Sequence, residues 1–288
     1  MTSTPYTFPL DKLLTLGDAR PTMSRWPDYR QYGLAPEHIP DLVRMATDEE
    51  LYLAGSDSPE AWAPMHAWRA LGQFRAESAI GPLLSLLHWI DDNDDDMINE
   101  EVPDVLGMIG PAAIPAVAEY LADTSHGLWA RVAATISLKE IGQRHPESRD
   151  ECVMVLTRQL EHFQEQDKSL NAFLVGPLRD LRAVESAPVM ERAFAADRVD
   201  IGVQGDWEDV QIDMGLRQER ETPKPDYAAS LLGVEQVTSI REGLKQLPER
   251  TSRPKKSKAK KRDKRKQQEP RGKKRKEIRH SQGAAHSV

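Results

Sequence analysis

A chain of 288 residues with one cysteine, Cys152, and a net charge of −7 cannot hold a disulfide framework or a clustered-cysteine zinc site, and its lone thiol fits a reducing compartment as a small buried hydrophobe. The charge is split. Residues 251–288 carry 16 Lys/Arg and 3 Asp/Glu, so the totals of 39 and 46 leave 23 and 43, a balance of −20, on residues 1–250, which excludes a body that wraps DNA through its own surface.

From the N-terminus, residues 1–33 lack the basic and apolar regions of a secretory signal and are expected to form an N-terminal segment and first cap. The longest nearly unbroken apolar run, AIGPLLSLLHWI over 79–90, is interrupted by Ser85 and His88 and is too short to span a bilayer. A soluble cytoplasmic protein with no membrane contact is the expectation.

Residues 34–216 contain an internal repeat. ALGQFRAESAIGPLLSLL from Ala70 aligns with VLGMIGPAAIPAVAEYL from Val105: Leu71 falls on Leu106, Phe74 on Ile109, Ile80 on Ile114 and, across a one-residue gap, Leu87 on Leu121. Looser copies place Leu138 and Ile141, then Leu178 and Leu181, in the roles of Leu71 and Phe74, and HIPDLVRMA from His38 matches the second half of the unit. In that second half Ile39, Leu42, Val43 and Ala46, then Ile80, Leu83, Leu84 and Leu87, then Ile114, Val117, Ala118 and Leu121 repeat the i, i+3, i+4, i+7 stripe of a helix face. Ile98, Val102, Val105, Leu106 and Ile109 do the same in the first half. Ser58 followed by Pro59, and Pro111 after Gly110, read as helix starts. Pro64, Pro103 and Pro177 are expected inside first helices, each removing a donor and bending the helix. No alternating run is long enough for a strand.

A hairpin this small cannot bury its stripe alone, so neighbours must stack and share a core. The pattern predicts an all-α chain, a right-handed α-solenoid of helical hairpins. At these residues the chain resembles the HEAT repeat, in the short form also found in phycobilin lyases, and over its whole body it looks like a group of bacterial HEAT-repeat proteins. That resemblance implies a scaffold or adaptor, with a bilin-lyase-type enzyme or chaperone as the alternative. Some similar proteins end in a cysteine-rich zinc motif; this chain has lysines and arginines there, so no zinc role is carried over.

GDWEDVQIDMGL over 205–216 predicts a last helix capped by Asp206, with Trp207, Val210 and Met214 on one face and Gly215 as the stop. It either closes the last repeat or offers Asp206, Glu208, Asp209 and Asp213 as an acidic patch to a basic partner. Residues 217–226 read as a linker and 227–248 as an amphipathic helix interrupted near Gly233, docking on the body or on another chain. Residues 249–288 are expected to be disordered when free. Within them Lys255, Lys256, Lys258, Lys260, Lys261, Arg262, Lys264, Arg265, Lys266, Lys273, Lys274, Arg275 and Lys276 form the candidate contact to nucleic acid or ribosomes. Without interleaved aromatics such a contact is salt-sensitive and nearly sequence-blind. A solubilising end, or a nuclear import signal in a eukaryotic host, uses the same residues.

The densest acidic run, DDNDDDMINEE over 91–101, lacks the central glycine and spaced glutamate of an EF-hand. Asp91, Asp92, Asp94, Asp95 and Asp96 are either a solvated loop with acids at a helix start or a patch for a cation or basic partner. The eight histidines are scattered, no phosphate loop or serine elbow occurs, and Trp62, Trp68, Trp89 and Trp129 read as core aromatics unless one faces a ligand. The expectation leans against an enzyme and names no metal, no cofactor and no catalytic residue. Three classes remain: a protein-binding scaffold whose basic tail touches nucleic acid or ribosomes, a lyase-type enzyme, and a chain whose tail covers its own acidic surface.

Overall fold

The computed structural model describes residues 5–23, 25–55 and 57–227. Apart from Tyr227, the helix expected over 227–248 lies outside them, as do the basic segment and its Lys/Arg candidates. The described chain is all-α, with no strand among the described residues. Its helices are α1 (Ile39–Ala46), α2 (Glu49–Tyr52), α3 (Ala63–Gln73), α4 (Ile80–Leu86), α5 (His88–Asn93), α6 (Asp96–Ile109), α7 (Ile114–Ala122), α8 (Leu128–Arg144), α9 (Arg149–Leu160), α10 (Lys168–Asp180), α11 (Ala187–Ala195), α12 (Ile201–Gln204) and α13 (Trp207–Asp213).

One local device recurs along the chain. The turns Pro36–His38, Glu77–Ala79, Pro111–Ala113, Pro146–Ser148 and Val184–Ser186 are single 3-10 turns, and each runs directly into α1, α4, α7, α9 or α11. Three begin with proline, whose fixed φ suits a helix start and whose missing N–H is no loss there. The helices before them end in recurring ways as well. In α3 the N–H of Ala76 bonds to the carbonyl of Leu71 at 3.0 Å and that of Arg75 to Gly72; in α10 Ala183 bonds to Leu178 at 2.9 Å and Arg182 to Arg179. These are Schellman ends, and they put Arg75 and Arg182 at φ 50° and 52°, where a side chain is strained.

That geometry corrects the repeat register. Leu106 and Ile141 each accept the closing bond of their helix, from Gly110 and His145, so Ile141, not Leu138, occupies the position of Leu71, Leu106 and Leu178. The two candidates lie one helical turn apart on the same stripe, which is why periodicity does not separate them. Leu71, Leu106, Leu138, Ile141 and Leu178 are all fully buried.

Packing follows chain order. α3 lies on α6, α6 on α8, α8 on α10 and α10 on α12, while α4, α7, α9 and α11 pack beside them and on one another, ending at α13. Glycines at 72, 107 and 142 let these helices approach: a Cβ on Gly107 would lie 2.6 Å from the Cβ of Glu140, and one on Gly142 would lie 2.9 Å from Leu181.

The prolines divide. Pro64 stands in the first turn of α3, where it displaces no bond, contrary to the interior position expected. Pro103 and Pro177 are interior. Pro177 leaves the carbonyl of Phe173 without its helical donor, and the hydroxyl of Thr135 on α8 donates to it at 2.9 Å. Among the tryptophans Trp68 is core, but Trp129 is 44% exposed in the first turn of α8, its edge against Phe173.

The N-terminal segment covers the outer face of α3. Leu10, Leu13, Ala19 and Tyr29 are buried. The Tyr29 hydroxyl meets Nδ1 of His66 at 2.7 Å, and Nε2 of His66 meets the Gly17 carbonyl at 2.9 Å. The carbonyl requires a donor at Nε2, and in the neutral ring that leaves Nδ1 to accept from Tyr29. Burial, aided by the nearby charge of Arg69, lowers the His66 pKa.

Candidate partner-binding surface

The acidic run separates into two functions once its backbone is placed. Asp91, at the end region of α5, accepts from the N–H groups of Trp129 and Ala130 at 2.9 and 2.8 Å, and so caps α8 from another helix pair. Gly127 is required there, since a Cβ would collide with the Asp91 carboxylate. Asp95 caps α6 by accepting from Ile98 at 2.8 Å. Asp92, Asp94 and Asp96 are exposed, and no ion-pair partner contacts them among the described residues. Asp94 takes the left-handed conformation, φ 54°, that ends α5. The five aspartates of the run therefore yield two caps and three free carboxylates, while Glu101 at its end pairs with Arg69.

Beside it opens a cavity of about 290 Å³, walled by Tyr52, Trp62, Trp68 and Met65, with Asp95 and Met97 at the start of α6. Trp68 is anchored by its indole N–H to the Ala46 carbonyl at 2.8 Å. Tyr52 packs edge-on against Trp89, their centroids 4.7 Å apart. Its hydroxyl is buried with no hydrogen-bond partner among the described residues, a state that few native polar atoms occupy. Burial raises the Asp95 pKa, the N–H groups of Ile98 and Met97 pull it back, and Asp96 adds to the rise.

The second acidic cluster is already taken. Arg220 grips Asp206 through two bonds, at 2.8 and 2.6 Å, and reaches Asp209 at 2.7 Å. Arg217 pairs with Glu208 at 3.2 Å, Thr222 donates to Glu208 through its N–H and its hydroxyl, and the Tyr227 hydroxyl donates to Asp209. Residues 217–227, where the sequence predicts a linker over 217–226, form a clasp on α13, because three acids clustered at the start of a helix match the two arginines that follow. The hydrogen bonds from Arg220 hold Asp206 below its ordinary pKa, and Asp209 is held low by Tyr227 and Arg220 against the opposing effect of burial. Asp206 and Gly215 act as the sequence predicts, as cap and stop.

Among the described residues no three His, Cys, Asp or Glu side chains are placed to share a metal ion. His66 is committed to Tyr29 and Gly17, whereas His88 lines a smaller cavity of about 90 Å³ with Tyr52, Trp89 and Asp48. No single helix among the described residues is long and apolar enough to cross a membrane. Cys152 is buried and its thiol pushed up to about 12 by desolvation, as a structural cysteine. Sequence reasoning missed Tyr52, Met65 and Met97 as cavity walls, since they belong to three separate elements, and it missed the clasp. No family model, curated protein or solved structure matches the chain.

Proposed function

We propose that the body is a right-handed α-solenoid of HEAT-like hairpins serving as a protein-binding scaffold, with a basic protein partner received on the face that carries Asp92, Asp94 and Asp96. The observation that carries this reading is the pairing of unneutralised exposed carboxylates with an aromatic-walled cavity. Aromatic anchors within a polar rim are the usual energetic pattern of an interface. The recurrent turn, the successive packing of α3, α6, α8 and α10, and the glycines between them support the stacked-repeat part. The Lys/Arg-rich end is assigned a sequence-blind contact to RNA or ribosomes that localises the scaffold.

Retention of proteins from a nuclease-treated lysate by the full chain and by D92N/D94N/D96N tests the reading. A protein held by the first and lost by the second supports it; equal retention by both sinks it. In a second reading the tail covers the chain's own free carboxylates, as Arg217 and Arg220 already cover Asp206, Glu208 and Asp209. It predicts that nuclease-treated full-length protein binds less partner than a form with the tail lysines and arginines changed to glutamine.

A further inference from the structure

The cavity beside α6 has a composition that selects one kind of ligand. Its lining includes Tyr52, Trp62 and Trp68, aromatic residues whose rings attract a cation, as the ring of Trp62 already does with the Arg20 guanidinium 4.7 Å from its centroid. Met65 and Met97 add polarizable, adaptable surface suited to an alkyl chain. Asp95 supplies a formal negative charge, and among the described residues no lysine, arginine or histidine pairs with it. Among the described residues, its hydrogen-bond donors are backbone N–H groups of its own helix. The Tyr52 hydroxyl is buried and unpartnered, a loss that a ligand N–H would repair.

We propose that this cavity binds the side chain of a lysine presented by a partner protein, with its ammonium group between Asp95 and the Tyr52 hydroxyl and its alkyl stem against Met65, Met97 and Trp62. A quaternary ammonium satisfies the rings but has no N–H to give Asp95 or Tyr52, and an apolar side chain satisfies neither. A primary ammonium on a four-carbon stem satisfies all three kinds of wall. The flanking Asp92, Asp94 and Asp96 draw a basic segment toward the mouth by longer-range attraction. The inference rests on the scaffold reading and gives it a chemical specificity.

Fluorescence anisotropy of a labelled Gly/Ser-rich peptide with a central lysine between two flanking lysines tests it on the full-length chain. Two further peptides carry norleucine or trimethyl-lysine at the centre. Asparagine is as good an N-cap as aspartate, so D95N keeps the start of α6 while removing the charge; Y52F keeps the ring packing on Trp89. The expected result is about tenfold weaker binding for the norleucine peptide and for D95N, and about threefold weaker for Y52F. Trimethyl-lysine should also bind more weakly than lysine. Binding that falls in D92N/D94N/D96N but is unchanged in D95N and Y52F overturns the cavity and leaves the scaffold reading standing. Loss of neither kind overturns both. If the peptide binds only when the chain's own Lys/Arg at 255–276 are changed to glutamine, the occupant is this chain's tail and the partner assignment is wrong.

Discussion

The guanidinium of Arg69 meets the carboxylate of Glu101 through two hydrogen bonds, 2.8 and 2.5 Å, with the side chains 0% and 3% exposed. The pair joins α3 to α6, and the remaining nitrogen of Arg69 donates to the Thr22 hydroxyl at 2.8 Å and the Ala19 carbonyl, so one side chain fastens the N-terminal segment to two repeats. Burial pulls the Arg69 pKa down, but the Glu101 contacts outweigh it. R69M or E101L alone leaves a charge buried without its partner and is expected to cost about 3–5 kcal/mol. R69M/E101L together should recover much of that loss. Urea midpoints for the four proteins check this; single variants no weaker than the double would refute the coupling.

His66 gives the fold a dependence on mild acid. Its pKa is lowered in the folded state, so the unfolded chain binds a proton first. The stability it contributes is complete above the ordinary histidine value of about 6.5 and is lost as pH falls through that value toward the depressed one. Melting temperatures from pH 8 to pH 5 should drop for the wild type and drop less for H66Q. A parallel decline in both would remove His66 as the cause.

Two helical glycines carry different expectations, one at a close approach and one in open space. In G107A the new Cβ meets the Glu140 Cβ, an atom fixed to the backbone of α8, and the loss should be about 1–3 kcal/mol. In G81A nothing beyond the chain neighbours lies within 4 Å, and the better helix propensity is offset by the contact of the new Cβ with the ring of Pro82, so the change should stay within about 0.5 kcal/mol. Denaturation curves of both variants are sufficient, and stabilisation by G107A would contradict the close-approach account.

Arg220 holds α13 in place. R220M should speed amide exchange across Trp207–Asp213 while leaving α3 and α6 unchanged, since the ion pairs it removes are local to the clasp. The carboxyls of Asp206 and Asp209 are held low, so the contribution of the clasp is present above the ordinary aspartate range and disappears as pH falls below it. Exchange that is unchanged in R220M would show that residues 217–227 do not secure the helix.

Much of the helical framework was legible because apolar spacing is a local signal. Ile114, Val117 and Leu121 announce their helix face, and Pro111 its start. Register was less secure: Leu138 and Ile141 lie on one stripe, and only the closing hydrogen bond to Ile141 shows which one ends the helix. The dual use of the acidic run was illegible for a different reason. Asp91 and Asp92 are neighbours of identical chemistry, yet one caps a helix 38 residues away and the other faces solvent. The cavity likewise joins Tyr52, Trp68 and Asp95 across three elements, a proximity that periodicity does not encode.

Binding of a basic partner to the face bearing Asp92, Asp94 and Asp96 is the proposed role of the body. It is tested most directly by measuring the affinity of the partner recovered from nuclease-treated lysate for the wild type and for D92N/D94N/D96N across a salt series. Binding should be at least about tenfold weaker for the variant at low salt, with the gap closing as salt screens the exposed carboxylates. Equal affinity of the two proteins at every salt concentration would contradict it.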